Sequence, residues 1–261
     1  MRSLSIGATG MRAQQLNVEV ISNNIANMTT TGFKRQRAEF QDLLYQSFRR
    51  VGSASSDAGT IVPVGVQVGA GVQAVGTYRI HEQGSMQVTD NALDLAINGR
   101  GFFQVELPNG EIAYTRAGAF TRNAEGEIVT LDGYLVVGPG AIPEDAVEIQ
   151  VNESGEVLVA IDGQVEPLNI GQFEMATFIN DAGLQAIGDN LYLETPASGA
   201  PIVGVPGDAG FGTLNQGMLE TSNVNIVSEI TQLISAQRAY EMNSKVITTT
   251  DEMMQSVSNL R

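Results

Sequence analysis

Apolar residues recur every seven positions near the start of the chain. The first row consists of Leu4, Met11, Val18 and Ile25. A neighbouring row, which polar and small residues interrupt, contains Gly7, Gln14, Ile21 and Met28. This spacing is typical of an amphipathic helix that packs along a partner. We predict a helix from near Ser3 to near Asn27, ending before the β-branched residues Thr29–Thr31 and Gly32.

The opposite end of the chain has the same pattern. One row consists of Ile226, Leu233, Tyr240, Ile247 and Met254, and an adjacent row of Val246, Met253 and Leu260. Ser222, Asn223 or Asn225 is a candidate N-cap for this helix. A helix of about 24 residues is about 36 Å long, more than a small domain usually buries. We therefore expect the terminal helices to pack against each other and against other copies of the chain.

Between the two ends, short apolar segments alternate with turn sequences. Asn109-Gly110 is a strong hairpin signal, because these residues adopt the positive φ that tight turns require. Further turn sequences are Asn123–Gly126, Asp132-Gly133, Asn152–Gly155 and Asp162-Gly163. Their spacing is typical of an all-β domain. We predict such a domain over residues 77–215.

A segment rich in Gly, Ser, Ala and Val lies between the first helix and the β domain, over Val51–Gly76. Its composition fits either a flexible linker or extended strands that pack on neighbours. Regularly spaced valines and few charges favour the strands.

These elements predict a mixed α and β fold. The N-terminal helix (residues 1–35) and the C-terminal helix (residues 216–261) pair as an inner coiled-coil domain. An extended segment (residues 36–76) and the central β domain (residues 77–215) lie between them.

The charge distribution argues against nucleic acid as a partner. The formal net charge is −15, and no Lys or Arg occurs between Arg122 and Arg238. Nucleic-acid binding requires a basic patch that offsets phosphate charge. An acidic surface of this kind is also poorly suited to an anionic membrane, and self-repulsion keeps such a chain soluble.

The residue inventory offers little for catalysis. The chain has no cysteine and a single histidine, His81, which we expect on the surface or in a strand. A histidine metal cluster or a thiolate site is therefore excluded. We predict no catalytic, metal-binding or cofactor-binding residues, and no cofactor.

Three sets of residues resemble the signatures of flagellar rod and hook proteins, the axial proteins of the bacterial flagellum. The N-terminal set comprises Asn23, Asn24, Asn27, Gly32, Phe33 and Lys34 within Ser22–Asn27 and Thr31–Arg35. The C-terminal set comprises Gln237, Arg238, Ala239 and Tyr240 within Gln237–Lys245, followed by Thr250–Gln255. Central segments Asn98–Phe103 and Ala113–Arg116 resemble the β region that the family shares.

The length and the segment from Ala38 to about Val72 resemble the branch of this family that builds the distal part of the rod. The resemblance implies a non-catalytic subunit of a rigid, hollow helical shaft that transmits motor torque to the hook. The assembly interface would comprise Leu4, Met11, Val18, Ile21, Ile25, Met28, Ile226, Leu233, Tyr240, Ile247 and Met254. The Val51–Gly76 segment would bridge adjacent subunits and resist bending.

Implied partners are further copies of the chain, proximal rod proteins, the hook protein, the P-ring and L-ring proteins and the flagellar type III export apparatus. The N-terminal segment has no signal-peptide pattern. We expect export without a cleaved signal and a place in the basal body, spanning the periplasm toward the outer membrane.

Two alternatives remain open at this point. A hook or proximal rod subunit of the same family would share the signatures. A secreted β-rich fibre or adhesin with coiled-coil ends would share the patterning, but it would form closed trimers.

Overall fold

The computed structural model describes residues 2–49, 64–162 and 166–259. These residues form two compact units. The helical unit contains residues 2–25, 36–49, 64–78 and 226–259, and the β unit contains residues 26–35, 79–162 and 166–225. The predicted combination of terminal helices with a central β-rich region is confirmed.

Helix α1 forms within a residue of its predicted bounds, and α2 begins directly after the candidate caps. Helix α1 spans Arg2–Ala26, and helix α2 spans Ile226–Asn259. Asn225 therefore stands at the N-cap position of α2, one of the three candidates. Residues 216–225, which we predicted to belong with the C-terminal helix, lie instead in the β unit.

Four strands complete the helical unit. Strand β1 (Gln36–Asp42) pairs with β4 (Val72–Arg79), and β2 (Tyr45–Arg49) pairs antiparallel with β3 (Val66–Gly69). Of the Val51–Gly76 segment, residues 51–63 lie outside the described residues. Its described part consists largely of strands, as the valine spacing favoured.

The main sheet of the β unit has nine strands. These strands are β7 (Phe102–Glu106), β8 (Ile112–Thr115), β9 (Phe120–Arg122), β10 (Ile128–Thr130), β11 (Leu135–Val136), β15 (Met175–Thr177), β16 (Gln185–Gly188), β17 (Leu191–Leu193) and β18 (Ile202–Gly204). Seven of them follow one another in the order β16-β17-β8-β7-β11-β10-β9, and β15 pairs with both β7 and β18. A 3₁₀ turn over Asp181–Gly183 precedes β16.

The β unit also contains three smaller antiparallel sheets. One joins β12 (Ala146–Val151), β13 (Glu156–Ile161) and β14 (Leu168–Gln172). The other two pair β6 (Leu95–Asn98) with β19 (Thr213–Gln216), and β5 (Met86–Val88) with β20 (Met218–Glu220). Strands from both ends of the unit therefore pair with each other.

The predicted turns connect neighbouring strands. Leu107 and Gly110 close the β7–β8 hairpin, where Gly110 has a φ of +81°. The turns Asn123–Gly126 and Asn152–Gly155 connect β9 to β10 and β12 to β13, and Asp132-Gly133 lies between β10 and β11. Gly163, in the remaining turn sequence, lies outside the described residues.

The principal core lies between the sheets of the β unit. Its buried side chains are Leu95, Ile97, Phe103, Phe120, Ile128, Val136, Ile142, Val151, Val157, Val159, Phe173, Met175 and Leu214. Phe103 meets Phe120 edge to face, with ring centroids 5.0 Å apart. Neither helix in the described part of the chain is long and apolar enough to cross a bilayer.

Gly118 marks a close approach of two backbones in this core. Leu95 donates its backbone N–H to the Gly118 carbonyl, and a Cβ at position 118 would overlap the Leu95 carbonyl oxygen. We expect Gly118→Ala to lower the free energy of unfolding by roughly 3 kcal/mol, as overpacking of rigid backbone does. Urea unfolding measures this loss. Gly76→Ala is the control, since a Cβ there meets no atom within 4 Å, and an equal loss in both variants would contradict the packing.

Candidate assembly interface

Small residues bring the two terminal helices together. Gly7, Ala13, Val20, Ile21 and Asn24 are the buried residues of α1. A Cβ at Gly7 would lie 3.0 Å from Ile247 Cγ1, and one at Gly10 would lie 2.8 Å from Asn243 Nδ2. The glycines thus allow α2 to approach closely, as small residues do wherever helices pack tightly.

The contacts also give the relative direction of the helices. The start of α1 meets Asn243 and Ile247, whereas Asn24 near its end donates to Glu229 Oε2 at 3.1 Å, in the first turn of α2. Residue numbers on α1 rise as those on α2 fall, so the helices are antiparallel. The buried residues of the described part of α2 are Glu229, Ala236 and Thr250.

The predicted apolar rows lie mostly beside this contact, although Ile247 of one row meets Gly7 within it. Ile21 is buried, and Leu4, Met11, Val18, Ile25, Leu233 and Ile247 are half-buried. The remaining predicted interface residues, Met28, Ile226, Tyr240 and Met254, are exposed. Gly7, which we had treated as an interruption of a heptad row, makes the contact within the chain together with Gly10. Their spacing of three (Gly7, Gly10, Ala13) was the signal for it in the sequence.

Asn24 of the N-terminal signature links three elements of the helical unit. Its Nδ2 donates to the Gln36 carbonyl at 2.9 Å and to Glu229, and its Oδ1 accepts from the Gln36 N–H at 2.8 Å. Because Asn24 is fully buried, each of these polar groups requires a partner. One side chain therefore connects α1, β1 and α2.

Two other signature residues, Asn27 and Gly32, shape the turn that follows α1. Asn27 accepts hydrogen bonds from the N–H and hydroxyl of Thr30, and Asn23 is exposed. Gly32 has a φ of +68°, and a Cβ there would lie 2.8 Å from the Ala117 nitrogen. Only glycine fits this position without strain.

A buried charge cluster follows in the β unit. Glu220 accepts Lys34 Nζ on Oε1 and Arg116 Nε on Oε2, both at 2.6 Å. The Gly84 N–H also donates to Oε1, at 2.7 Å. Glu220 and Lys34 are only 1% and 2% exposed. Each oxygen of the carboxylate is thus satisfied by charged or backbone donors.

The two cations have further acceptors. Lys34 Nζ donates to the Glu82 carbonyl at 2.8 Å. The Arg116 guanidinium donates to backbone carbonyls of Gly101, Ile97 and Gly99. These bonds offset part of the cost of burying charge.

Burial and charge act in opposite directions on the pKa of Glu220. Burial alone would raise it, but Arg116 and Lys34 outweigh that effect and hold the pKa of the carboxyl below its ordinary value. Burial lowers the pKa of Lys34, although Glu220 opposes the change. The cluster is therefore an ion-paired carboxylate at neutral pH.

Glu220 itself was missed by the sequence reasoning. It lies 186 residues from Lys34 and 104 from Arg116, so no local spacing marks it. Arg116 and Lys34 belonged to segments quoted for the family resemblance, without a structural role.

His81 does not lie in a strand or freely on the surface, and our expectation for it was wrong. It follows β4 as a half-buried residue whose ring packs edge-on against Phe102 and Tyr192 at 5.6 and 5.7 Å. Burial, with the nearby charges of Lys34, Arg79 and Arg116, lowers the pKa of His81 to about 4 from 6.5. The imidazole is therefore neutral at physiological pH.

The C-terminal signature residues lie on α2. Gln237 and Arg238 are exposed, Ala239 is half-buried, and Tyr240 is 43% exposed. Asn24, Gly32, Phe33 and Lys34 of the N-terminal signature are buried, and so is Thr250 in the segment that follows Gln237–Lys245. The structure thus separates signature residues that hold the chain together from those that remain on its surface.

Known proteins match the chain along its length. The family model described as flagella basal body rod protein matches residues 4–34, that of the flagellar hook protein FlgE/F/G D1 domain matches residues 96–159, and that of the flagellar basal body rod FlgEFG protein C-terminal matches residues 215–260. All three motif regions of the sequence fall within or beside these matches.

Individual relatives are similar over nearly their full lengths. Flagellar basal-body rod protein FlgG of Caulobacter vibrioides is 61% identical over 100% of both chains. FlgG of Agrobacterium fabrum is 54% identical over 99% of this chain and 98% of its own. Flagellar basal-body rod protein FlgF of Caulobacter vibrioides is 35% identical over 97% of this chain and 95% of its own.

We expect Glu220→Gln to lower the free energy of unfolding by roughly 3 kcal/mol or more, because two cations would remain buried without their carboxylate. Urea denaturation gives the value. Glu82→Gln is the matched control, since the Glu82 side chain is 69% exposed in its ion pair with Arg35. Its effect should stay below about 1 kcal/mol, and equal losses in the two variants would refute the buried cluster.

His81 should make folding pH-dependent. The unfolded chain binds the proton with the ordinary pKa of 6.5 and the folded chain only near 4, so stability is full above the higher value and falls as the pH decreases. Between about pH 7.5 and about pH 5 the free energy of unfolding should fall by about 2 kcal/mol from this group.

His81→Gln should remove that part of the loss, measured by urea titrations at both pH values. All other groups are the same in both proteins, so their effects cancel in the comparison. An identical pH dependence in the two proteins would show that His81 is not neutralised by folding.

Proposed function

Because the chain belongs to the family of flagellar basal-body rod proteins named FlgG, we propose that it polymerises into a stiff, hollow shaft with its terminal helices as the inner wall. It is a structural subunit of the flagellar distal rod, and it lies in the basal body with other rod and hook components. The resemblance that the signatures indicated is confirmed. The chain is 61% identical to FlgG of Caulobacter vibrioides and 35% identical to FlgF of the same organism, which favours the FlgG branch of the family.

The exposed apolar side chains of α2 carry the proposal. They are Ile226, Val227, Ile230, Ile234, Tyr240, Met242, Val246, Met253 and Met254. The antiparallel contact with α1 covers only one side of α2. Apolar patches of this extent on a single molecule are a mark of interaction sites. Packing against other copies, as a coiled-coil layer that includes the predicted rows, would bury them.

The pair formed by β2 and β3 supports the same conclusion. Every residue of β2 is exposed, including Phe48, and Leu44 beside it is 89% exposed. Two strands on their own are at best marginally stable in water. In the proposed polymer this pair and the neighbouring extended segment lie against adjacent subunits, and the added contacts resist bending.

The same proposal also places the other flagellar components around the shaft. The β unit would form the outer layer, facing the P-ring and L-ring proteins, with the proximal rod and the hook protein at the two ends of the shaft. Torque would pass through close-packed subunit contacts. The chain would have no catalytic role and bind no cofactor. It would reach the periplasm through the flagellar type III export apparatus, without a cleaved signal.

Ile247→Asp should prevent assembly and leave the β unit folded, because the charge falls in the helix contact beside Gly7. The measurement is recovery of the full chain in isolated basal bodies, with near-ultraviolet circular dichroism as the test of the β unit. Gln232→Asp, at an exposed polar position of α2, is the control for an added charge. Normal rods built from Ile247→Asp would refute the role of the helices.

A further inference from the structure

A groove runs along one side of the helix pair. We call it the helix groove. It is lined by Gln15, Val18 and Glu19 of α1 and by Gln237, Tyr240 and Glu241 of α2. It is open and has a volume of about 320 Å³. Val18 and Tyr240 provide apolar surface, while Glu19 and Glu241 are exposed. The groove is therefore an apolar channel with acidic edges.

A ridge with complementary chemistry lies on a different side of the same helix. Arg238, Met242 and Lys245 are spaced by four and three residues, which places them on one face of α2. All three are exposed, Met242 to 70%. This face is opposite the buried row that contains Ala236. We call these residues the basic ridge.

In the part of the chain that the structure describes, the charges of both features form no ion pair. None of the salt bridges among residues 2–49, 64–162 and 166–259 includes Glu19, Glu241, Arg238 or Lys245. The Glu19 carboxylate accepts a hydrogen bond from Gln15 Nε2 at 3.1 Å, across one helical turn. Two acids beside an apolar groove and two bases beside an exposed methionine thus remain available to another molecule.

We propose that the helix groove of one copy binds the basic ridge of a second copy, with Met242 against Val18 and Tyr240. The flexible thioether of methionine adapts to such grooves. Arg238 and Lys245 then lie beside Glu19 and Glu241. Exposed ion pairs are individually weak, so the charges chiefly select the partner and its register.

The arrangement explains why this contact would propagate. The groove lies between α1 and α2, whereas the ridge lies on the side of α2 opposite Ala236, so a copy that uses its groove still presents its ridge. Glu241, three residues from Arg238 and four from Lys245, borders both features. Such a heterologous contact generates open assemblies unless its rotation closes a ring. The inference rests on the proposed function and assigns a specific contact to it.

Cysteine cross-linking tests the contact directly, because the chain contains no cysteine. Val18→Cys combined with Met242→Cys should yield a ladder of disulfide-linked multimers in basal bodies from cells whose only copy is this full-length variant. Val18→Cys with Glu252→Cys is the matched control, since Glu252 lies on the same exposed side of α2, about 15 Å further along. Only the first pair should form the ladder.

The outcomes separate the contact from the function. Recovery of the Val18/Met242 variant in basal bodies as uncross-linked chain, or equal ladders from both pairs, overturns the contact and leaves the rod function standing. Absence of the unaltered chain from basal bodies overturns the rod function and this contact with it.

Charge reversal provides a second test that does not depend on cysteines. Glu19→Lys with Glu241→Lys, and separately Arg238→Glu with Lys245→Glu, should each reduce the amount of rod-assembled chain about tenfold through like-charge repulsion. Produced together, the two variants should assemble, because the groove of each then matches the ridge of the other. Asp251→Lys with Glu252→Lys, which changes the charge equally outside the groove, should assemble normally.

The reversal test also has clear contrary results. Normal assembly of either reversed variant alone shows that the groove and ridge do not meet. Loss of assembly without rescue in the mixture shows that they act in separate contacts, and this too overturns the proposal.

Discussion

The buried Glu220 carboxylate holds together the places where the chain enters and leaves the β unit. Lys34 lies on the segment that follows α1, and Glu220 lies on β20, six residues before α2. Arg116 attaches both to the main sheet. Asn223 reinforces the junction by accepting the Arg35 N–H at 2.8 Å. A cluster this well satisfied fixes one arrangement of these segments, because any slip would leave charge buried without a partner.

In the helical unit, distant segments are held together mainly by close packing of small residues instead of by buried charges. Its helices approach through glycine and alanine, and Asn24 supplies the polar link to Glu229 at one end. Small residues bring backbones close but bury little apolar surface. The larger side chains, such as Ile234 and Met253, consequently remain exposed. A pair built this way would gain most of its burial only when other copies pack around it, as the proposed polymer requires.

The β unit is acidic, whereas exposed basic residues lie on α2 of the helical unit, and this difference fits assembly through the helices. The exposed bases of α2 lie in the helical unit, whereas residues 123–225 contain no Lys or Arg. In the proposed polymer, attraction between copies would therefore be concentrated where helices meet. The acidic β unit is expected to repel its counterparts at long range, so contacts along the helices, rather than between β units, would direct association.

The sequence by itself determined the helices, the hairpin turns and the family. Heptad rows and Asn-Gly turns are local patterns whose geometry follows from neighbouring residues, so their positions could be predicted closely. Only the tertiary structure decided which face of α1 meets α2, that Lys34 and Arg116 share Glu220, and that His81 is half-buried beside Tyr192. These pairings join residues far apart in the chain. Their energies depend on packing and desolvation in three dimensions, which no spacing along one dimension encodes.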